Sequence, residues 1–376
     1  MTHFTVLVCL PANTDPDDIE TAISDKLARW DENRDVEPYR DYEDGSPEEF
    51  WWVSAILRGA DHHRNGTGIL PHHPDDPHGV RQPGRTSQYP EAVQRAEYAD
   101  DAAWAEKLGE QPTWEAVVQL YNEKYHPTNA VAIVGDSTDT EDTDRLHYDP
   151  ETGRAYTIST RNPEGLWDWW AIGGRWHRTM IGVQGADRSV LVFGHAAAFS
   201  RDDSPARADN GGLFCDGGPR FVLDFKAMRD KAAAEANARY DRWDVICEKT
   251  DPAKPWSHFL DLAKVEEIAW DEARRLYREQ PRIELTSQDE ELRWMDCPVE
   301  HFMSGRDEYV EEARRAAVPG YALVTLDGEW LAPGRMGWFG MSSDSSGERS
   351  AYRVGVNRYL EDLDPQAYIV LVDCHV

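Results

Sequence analysis

The run His3-Phe4-Thr5-Val6-Leu7-Val8-Cys9-Leu10 is apolar, rich in β-branched residues and ended by Pro11, and it predicts a buried strand. A helix follows it. Asn13 to Asp15 offer capping oxygens, Pro16 suits a first turn, and Ile19, Ile23, Leu27 and Trp30 recur at helical spacing through Asp31. Glu48 to Leu57, with Phe50, Trp51, Trp52, Ile56 and Leu57, reads as a second helix, and further helices are expected near 91–108 and 113–124. Ala130 to Gly135 resembles a strand, and the acidic run Asp136 to Asp144 a solvated turn. Residues 61–90 hold Pro, Gly and His without a period and read as one long surface loop.

Ala155 to Ser159, Trp169 to Trp176, Thr179 to Val183 and Val190 to Phe193 are short strand-like runs parted by turn formers, so 154–194 is expected to be an antiparallel section. Beyond the Gly211-Gly212 and Gly217-Gly218-Pro219 loops, Ala-, Arg- and Glu-rich segments near 226–246, 256–279 and 299–317 make 225–317 a helical layer or insertion. Tyr321 to Leu326 and Glu329 to Leu331 flank Asp327-Gly328 as a β-hairpin, and Arg335 to Gly340 supplies the next strand. Ser350 to Leu363 forms a helix with Tyr352, Val356, Tyr359, Leu360 and Leu363 on one side. Tyr368 to Val376 is a strand too apolar to lie anywhere but in a sheet. The order predicts an α+β fold: a mainly antiparallel sheet with helices packed on it, in a single large domain spanning 1–376.

Composition narrows the function. The 376 residues carry 40 Lys and Arg against 70 Asp and Glu, a formal charge of −30, so the surface repels nucleic acid and anionic membranes. Forty per cent hydrophobic residues, with 15 Trp, are enough for a core without staples. Five scattered cysteines, with no C-x-x-C pair, read as reduced thiols in a cytosol. The N-terminus shows no export signal and no apolar run reaches a membrane-spanning length, so a soluble, cytoplasmic protein is expected.

The densest chemistry lies in Leu166-Trp167-Asp168-Trp169-Trp170-Ala171-Ile172-Gly173-Gly174-Arg175-Trp176, where four indoles, a carboxylate and a guanidinium surround a Gly-Gly step. Indoles on this scale either form a scaffold or grip a ligand, and Arg175 can stack on a ring or fork onto a carboxylate or phosphate. Together with Arg335-Met336-Gly337-Trp338-Phe339-Gly340 and the closing Val372-Asp373-Cys374-His375-Val376, this segment resembles a family of uncharacterised bacteriophage proteins, from the opening strand to the last residue. The resemblance implies a virus-encoded, non-virion protein acting in the host cytoplasm, and brings no activity with it. The candidate binding residues are Trp167, Asp168, Trp169, Arg175, Trp176, Trp338, Asp373 and His375.

Other motifs are weaker. Asp61-His62-His63 matches the triplet of the DHH phosphoesterases, but the acidic partners that chemistry requires at strand ends are replaced by Asp15, Asp17 and Asp18 at a helix start. His72, His73, Asp75 and His78 are ligand types for a divalent metal, on a Pro-broken loop that positions ligands poorly. Along a strand, Asp373 and His375 share a face while Cys374 points the other way, which disfavours a Cys-His catalytic pair. Neither a phosphate loop nor a nucleophile elbow is present. The leading expectation is a non-enzymatic protein that binds a host protein, with no cofactor. The alternatives are a nucleotide-like small ligand, or metal-assisted hydrolysis, at the Trp, Arg, Asp and His site; in a third reading the aromatics are scaffold only.

Overall fold

The computed structural model describes residues 2–72, 87–126, 145–196, 206–265, 267–318, 320–337 and 341–376. Its strands are β1 (His3–Leu10), β2 (Tyr39–Tyr42), β3 (His147–Asp149), β4 (Arg154–Ser159), β5 (Trp169–Gly174), β6 (Met180–Ile181), β7 (His195–Ala196), β8 (Phe214–Cys215), β9 (Gly217–Pro219), β10 (Ala322–Val324), β11 (Trp330–Leu331) and β12 (Tyr368–His375). The helices are α1 (Ile19–Leu27), α2 (Trp51–Asn65), α3 (Glu91–Leu108), α4 (Trp114–Tyr125), α5 (Phe225–Lys249), α6 (Trp256–Lys264), α7 (Trp270–Arg278), α8 (Pro281–Gln288), α9 (Pro298–Phe302), α10 (Arg306–Ala316) and α11 (Ser346–Asp362). The fold is α+β, and most strand pairs are antiparallel. Among the described residues no helix is long and apolar enough to cross a membrane.

The chain divides into two compact units, residues 1–34 with 162–376, and residues 35–161. In the first, the sheet runs β11-β10-β1-β12-β5-β7, with β9 also on β12. β12 is its centre: it pairs antiparallel with β1 from end to end, and along its other edge first with β9 and then with β5. Only β1 with β10 and β5 with β7 run parallel in this sheet.

Both faces of β1 and β12 are covered, which is why their sequences are apolar at nearly every position. Phe4, Val6, Val8 and Leu10 meet Val370, Val372 and Cys374 on the face under α1, where Ile19, Ile23 and Leu27 are buried. Leu7, Cys9, Ile369 and Leu371 face the opposite cluster, built with Met228 of α5 and Val356 and Leu360 of α11. The 225–317 segment is helical as expected, and its distal helices carry small cores of their own around Phe259 with Tyr277 and around Trp243 with Phe302.

The second unit packs α4 on the sheet β2-β4-β3 and pairs α2 with α3, with Trp52, Ile56, Val117, Leu146 and Ala155 in its core. Two buried amides tie its loops. Asn122 bonds both backbone groups of Leu146, and Gln94 bonds both backbone groups of Leu70 and the carbonyl of Tyr89.

Several expectations are corrected. Asp61, His62 and His63 lie on α2, which runs to Asn65 and ends on Gly66 at φ +65°, so the loop begins later than 61. The runs in 154–194 do not share one antiparallel section: β4 belongs to the second unit, β5 joins the main sheet and β6 pairs with β8. The hairpin at Asp327-Gly328 has a three-residue loop closed between Thr325 and Glu329, with Gly328 at φ +82°, instead of a two-residue turn. The strand expected at 130–135 and the acidic run 136–144 lie outside the described residues, as do Trp338, His73, Asp75 and His78.

Candidate functional site

β5 lies directly against β12, with Trp169 opposite His375, Trp170 opposite Cys374 and Ala171 opposite Asp373. The period of two then sorts the side chains. Trp170 and Cys374 join the cluster under α1, while Asp373 and His375 continue the face begun by Ile369 and Leu371. From β1, His3 and Thr5 reach that same face, opposite His375 and Asp373. The face is therefore apolar along most of β12 and turns polar at its end.

Two carboxylates organise this polar end. Asp373, 1% exposed, accepts a hydrogen bond at 2.9 Å from Nδ1 of His3 on one oxygen and at 2.9 Å from the Arg175 N–H on the other. Asp168 accepts at 2.6 Å from Nδ1 of His375. The two imidazoles meet edge to face with centroids 4.9 Å apart, and His3 also meets the edge of Trp169 at 6.0 Å. Trp169 itself is 51% exposed, although the strand beneath it is fixed by hydrogen bonds on buried groups.

The Gly-Gly step explains how a buried carboxylate reaches the next turn. Gly173 (φ +71°) and Gly174 (φ +52°) adopt left-handed backbone, and a Cβ on Gly174 would collide with Asp373. Trp176 N–H then bonds the Gly173 carbonyl at 3.0 Å, and the turn closes through Arg178, also left-handed at φ +57°. Asp216 holds its far end. That carboxylate is fully buried and accepts from the N–H of Arg178 and, at 2.8 Å, from the N–H of Gly194. Burial pushes its pKa above the ordinary value, against those two N–H groups and the charges of His177 and Arg178. The segment from 173 to 178 is thus suspended between two buried carboxylates.

The eleven-residue tryptophan motif is accordingly dispersed. Trp167 is buried under α1 with its indole N–H on the Leu27 carbonyl at 3.2 Å, and Trp176 packs against the opposite cluster. Trp169 remains at the surface, and the Arg175 side chain is exposed as well. Asp168, Trp169, Asp373 and His375 are brought together; Trp167 and Trp176 face away from each other across the sheet. Cys374 is buried on the far face, where burial and the adjacent Asp373 charge hold its thiol far above the ordinary range, so it is no nucleophile. Among the described residues no three His, Cys, Asp or Glu side chains are grouped to hold a metal ion. His72 is exposed and forms a backbone bridge to Ser87.

Sequence reasoning did not find His3 or Asp216. His3 carried a signal, a polar residue in phase with Thr5, Leu7 and Cys9 on an otherwise apolar strand. Asp216 carried none beyond a charge in a Gly-rich stretch. No protein family, curated protein or solved structure matches this chain.

Proposed function

We propose that this is a bacteriophage-derived protein that acts by binding a protein of the bacterial host, using the polar end of β5 and β12 as its contact. The observation that carries this reading is Trp169: a large indole left half exposed on a strand whose neighbours are fixed by buried hydrogen bonds. Indole and guanidinium are the side chains that anchor protein interfaces, and a rigid base spares the ordering cost of binding. Asp168 and His375, hydrogen-bonded to each other, sit beside it, and Arg175 stands exposed on the turn beyond. The net charge of −30 favours a basic partner surface, so binding weakens as salt rises.

The test is capture from bacterial lysate by the tagged full chain and by Trp169→Ala. The wild type retains a stoichiometric partner that salt elutes. The variant keeps the wild-type melting temperature and loses at least about 2 kcal/mol of binding, the scale of an interface anchor. Capture that survives Trp169→Ala, or no partner from any host tried, overturns the reading. A single nucleotide-like ligand gripped by both Trp167 and Trp176 is not favoured, because those indoles lie on opposite faces of the sheet.

A further inference from the structure

The helical segment contains a cleft of about 400 Å³ between α6, α7, α8 and the chain leading into α9. Its composition is unlike that of the molecule as a whole. In a chain with 70 acidic and 40 basic residues, the cleft is lined by three arginines, Arg274, Arg278 and Arg293, and one carboxylate, Asp296.

Arg274 and Arg278 stand four residues apart on α7, a spacing at which like charges repel. The intervening Arg275 is clamped by Glu272 at 2.5 Å and Glu279 at 2.6 Å, whereas Arg278 and Arg293 make no ion pair among the described residues. Arg274 has one exposed partner, Asp271 at 3.3 Å. Two guanidinium groups outside any ion pair among the described residues, Arg278 and Arg293, the latter stacked on the Trp294 ring at 4.9 Å, therefore line one cavity of a strongly acidic protein.

The inner wall is aromatic and apolar. Trp256 meets Tyr277 edge to face with centroids 5.5 Å apart, and Ile283 and Leu292 continue the wall. Tyr277 is 8% exposed and lines the cleft, with its buried hydroxyl beside the Cys297 thiol. Burial, then Cys297 and Glu300 nearby, hold the phenol above its ordinary range, so it remains a donor. Cys297 lines the same cleft with a left-handed backbone (φ +52°) immediately before Pro298, a conformation that costs energy to hold.

We propose that this cleft binds a small aromatic anion of mononucleotide size, its phosphate on Arg274, Arg278 and Arg293 and its ring against Trp256 and Tyr277. Guanidinium forks match phosphate oxygens, a planar base stacks on an aromatic wall, and the cleft volume falls in the range of small-molecule sites. The site is separate from the Trp169 surface and does not depend on its role.

Isothermal titration of the full chain with AMP, GMP, CMP and UMP, and with adenosine and inorganic phosphate alone, tests it. At least one nucleotide saturates below millimolar concentration, and its nucleoside and phosphate halves bind at least roughly tenfold more weakly, each having lost one class of contact. The double variant Arg274→Ala/Arg278→Ala weakens that nucleotide by roughly tenfold or more, and Trp169→Ala leaves it unaltered. The proposal is overturned if none of the four saturates, if either half binds as tightly as the whole, or if the double arginine variant binds as the wild type does.

Discussion

Asp216 bonds three separate segments: its side chain takes the N–H groups of Arg178 and Gly194, its own N–H goes to the Val192 carbonyl, and its carbonyl accepts from Leu371 at the point where β12 changes neighbour from β9 to β5. Replacing it with alanine takes the acceptor from two partly buried N–H groups, at about 1–3 kcal/mol each, so Asp216→Ala is expected to lower the unfolding free energy by about 2–5 kcal/mol in denaturant titration. Asp216→Asn, which keeps one acceptor oxygen, falls between. A loss below about 1 kcal/mol would show that the turn does not depend on this carboxylate. At this scale the sequence was informative only where the period of two decides direction. It assigned Asp373 and His375 to one face and Cys374 to the other, as the strand has them. The pairing of Asp373 with His3, and of Asp216 with a turn far away in sequence, depends on register, which is set by tertiary packing and not by local residue choice.

Among the elements, α11 shows how local signals specify a boundary. Ser345 accepts from the N–H of Glu348, whose carboxylate returns to the N–H of Ser345, a full capping box that starts the helix at Ser346. The Ser-x-x-Glu signature stands in the sequence, but apolar periodicity places the start at Ser350, because the first turn is exposed and has no period to read. Ser345→Ala is expected to cost about 1 kcal/mol, seen as a lower melting temperature with the fold intact; no shift would mean that the first turn does not couple to the core. Long helices such as α3 and α4 were legible nearly to the residue. Two-residue strands such as β7 and β8 were not, since they exist only through partners remote in the chain.

For the whole molecule, the second unit enters and leaves through adjacent backbone: Val36 N–H bonds the Thr160 carbonyl at 3.0 Å, and Tyr39 pairs with Ser159. On the other side of the same crossing, Glu32 N–H bonds the Trp167 carbonyl at 2.8 Å. Neighbouring ends and a self-contained core mark an inserted domain. Residues 35–161 produced alone are expected to unfold in one cooperative thermal transition, followed by near-ultraviolet circular dichroism of their tryptophans; a broad, non-cooperative melt would show that this core needs the rest of the chain. Sequence reading took the whole chain as one domain because the charged, irregular stretch from Asp31 to Gly45 and the short Asn162-Pro163-Glu164-Gly165 turn look like ordinary surface loops. The central position of β12 sets the timetable of biosynthesis. β12 is translated after every other described element, and β1, β5 and β9 all pair with it. On the ribosome, residues 35–161 are free to condense early, while β1 waits with its edge toward β12 unpaired, a window in which other exposed strands compete for it.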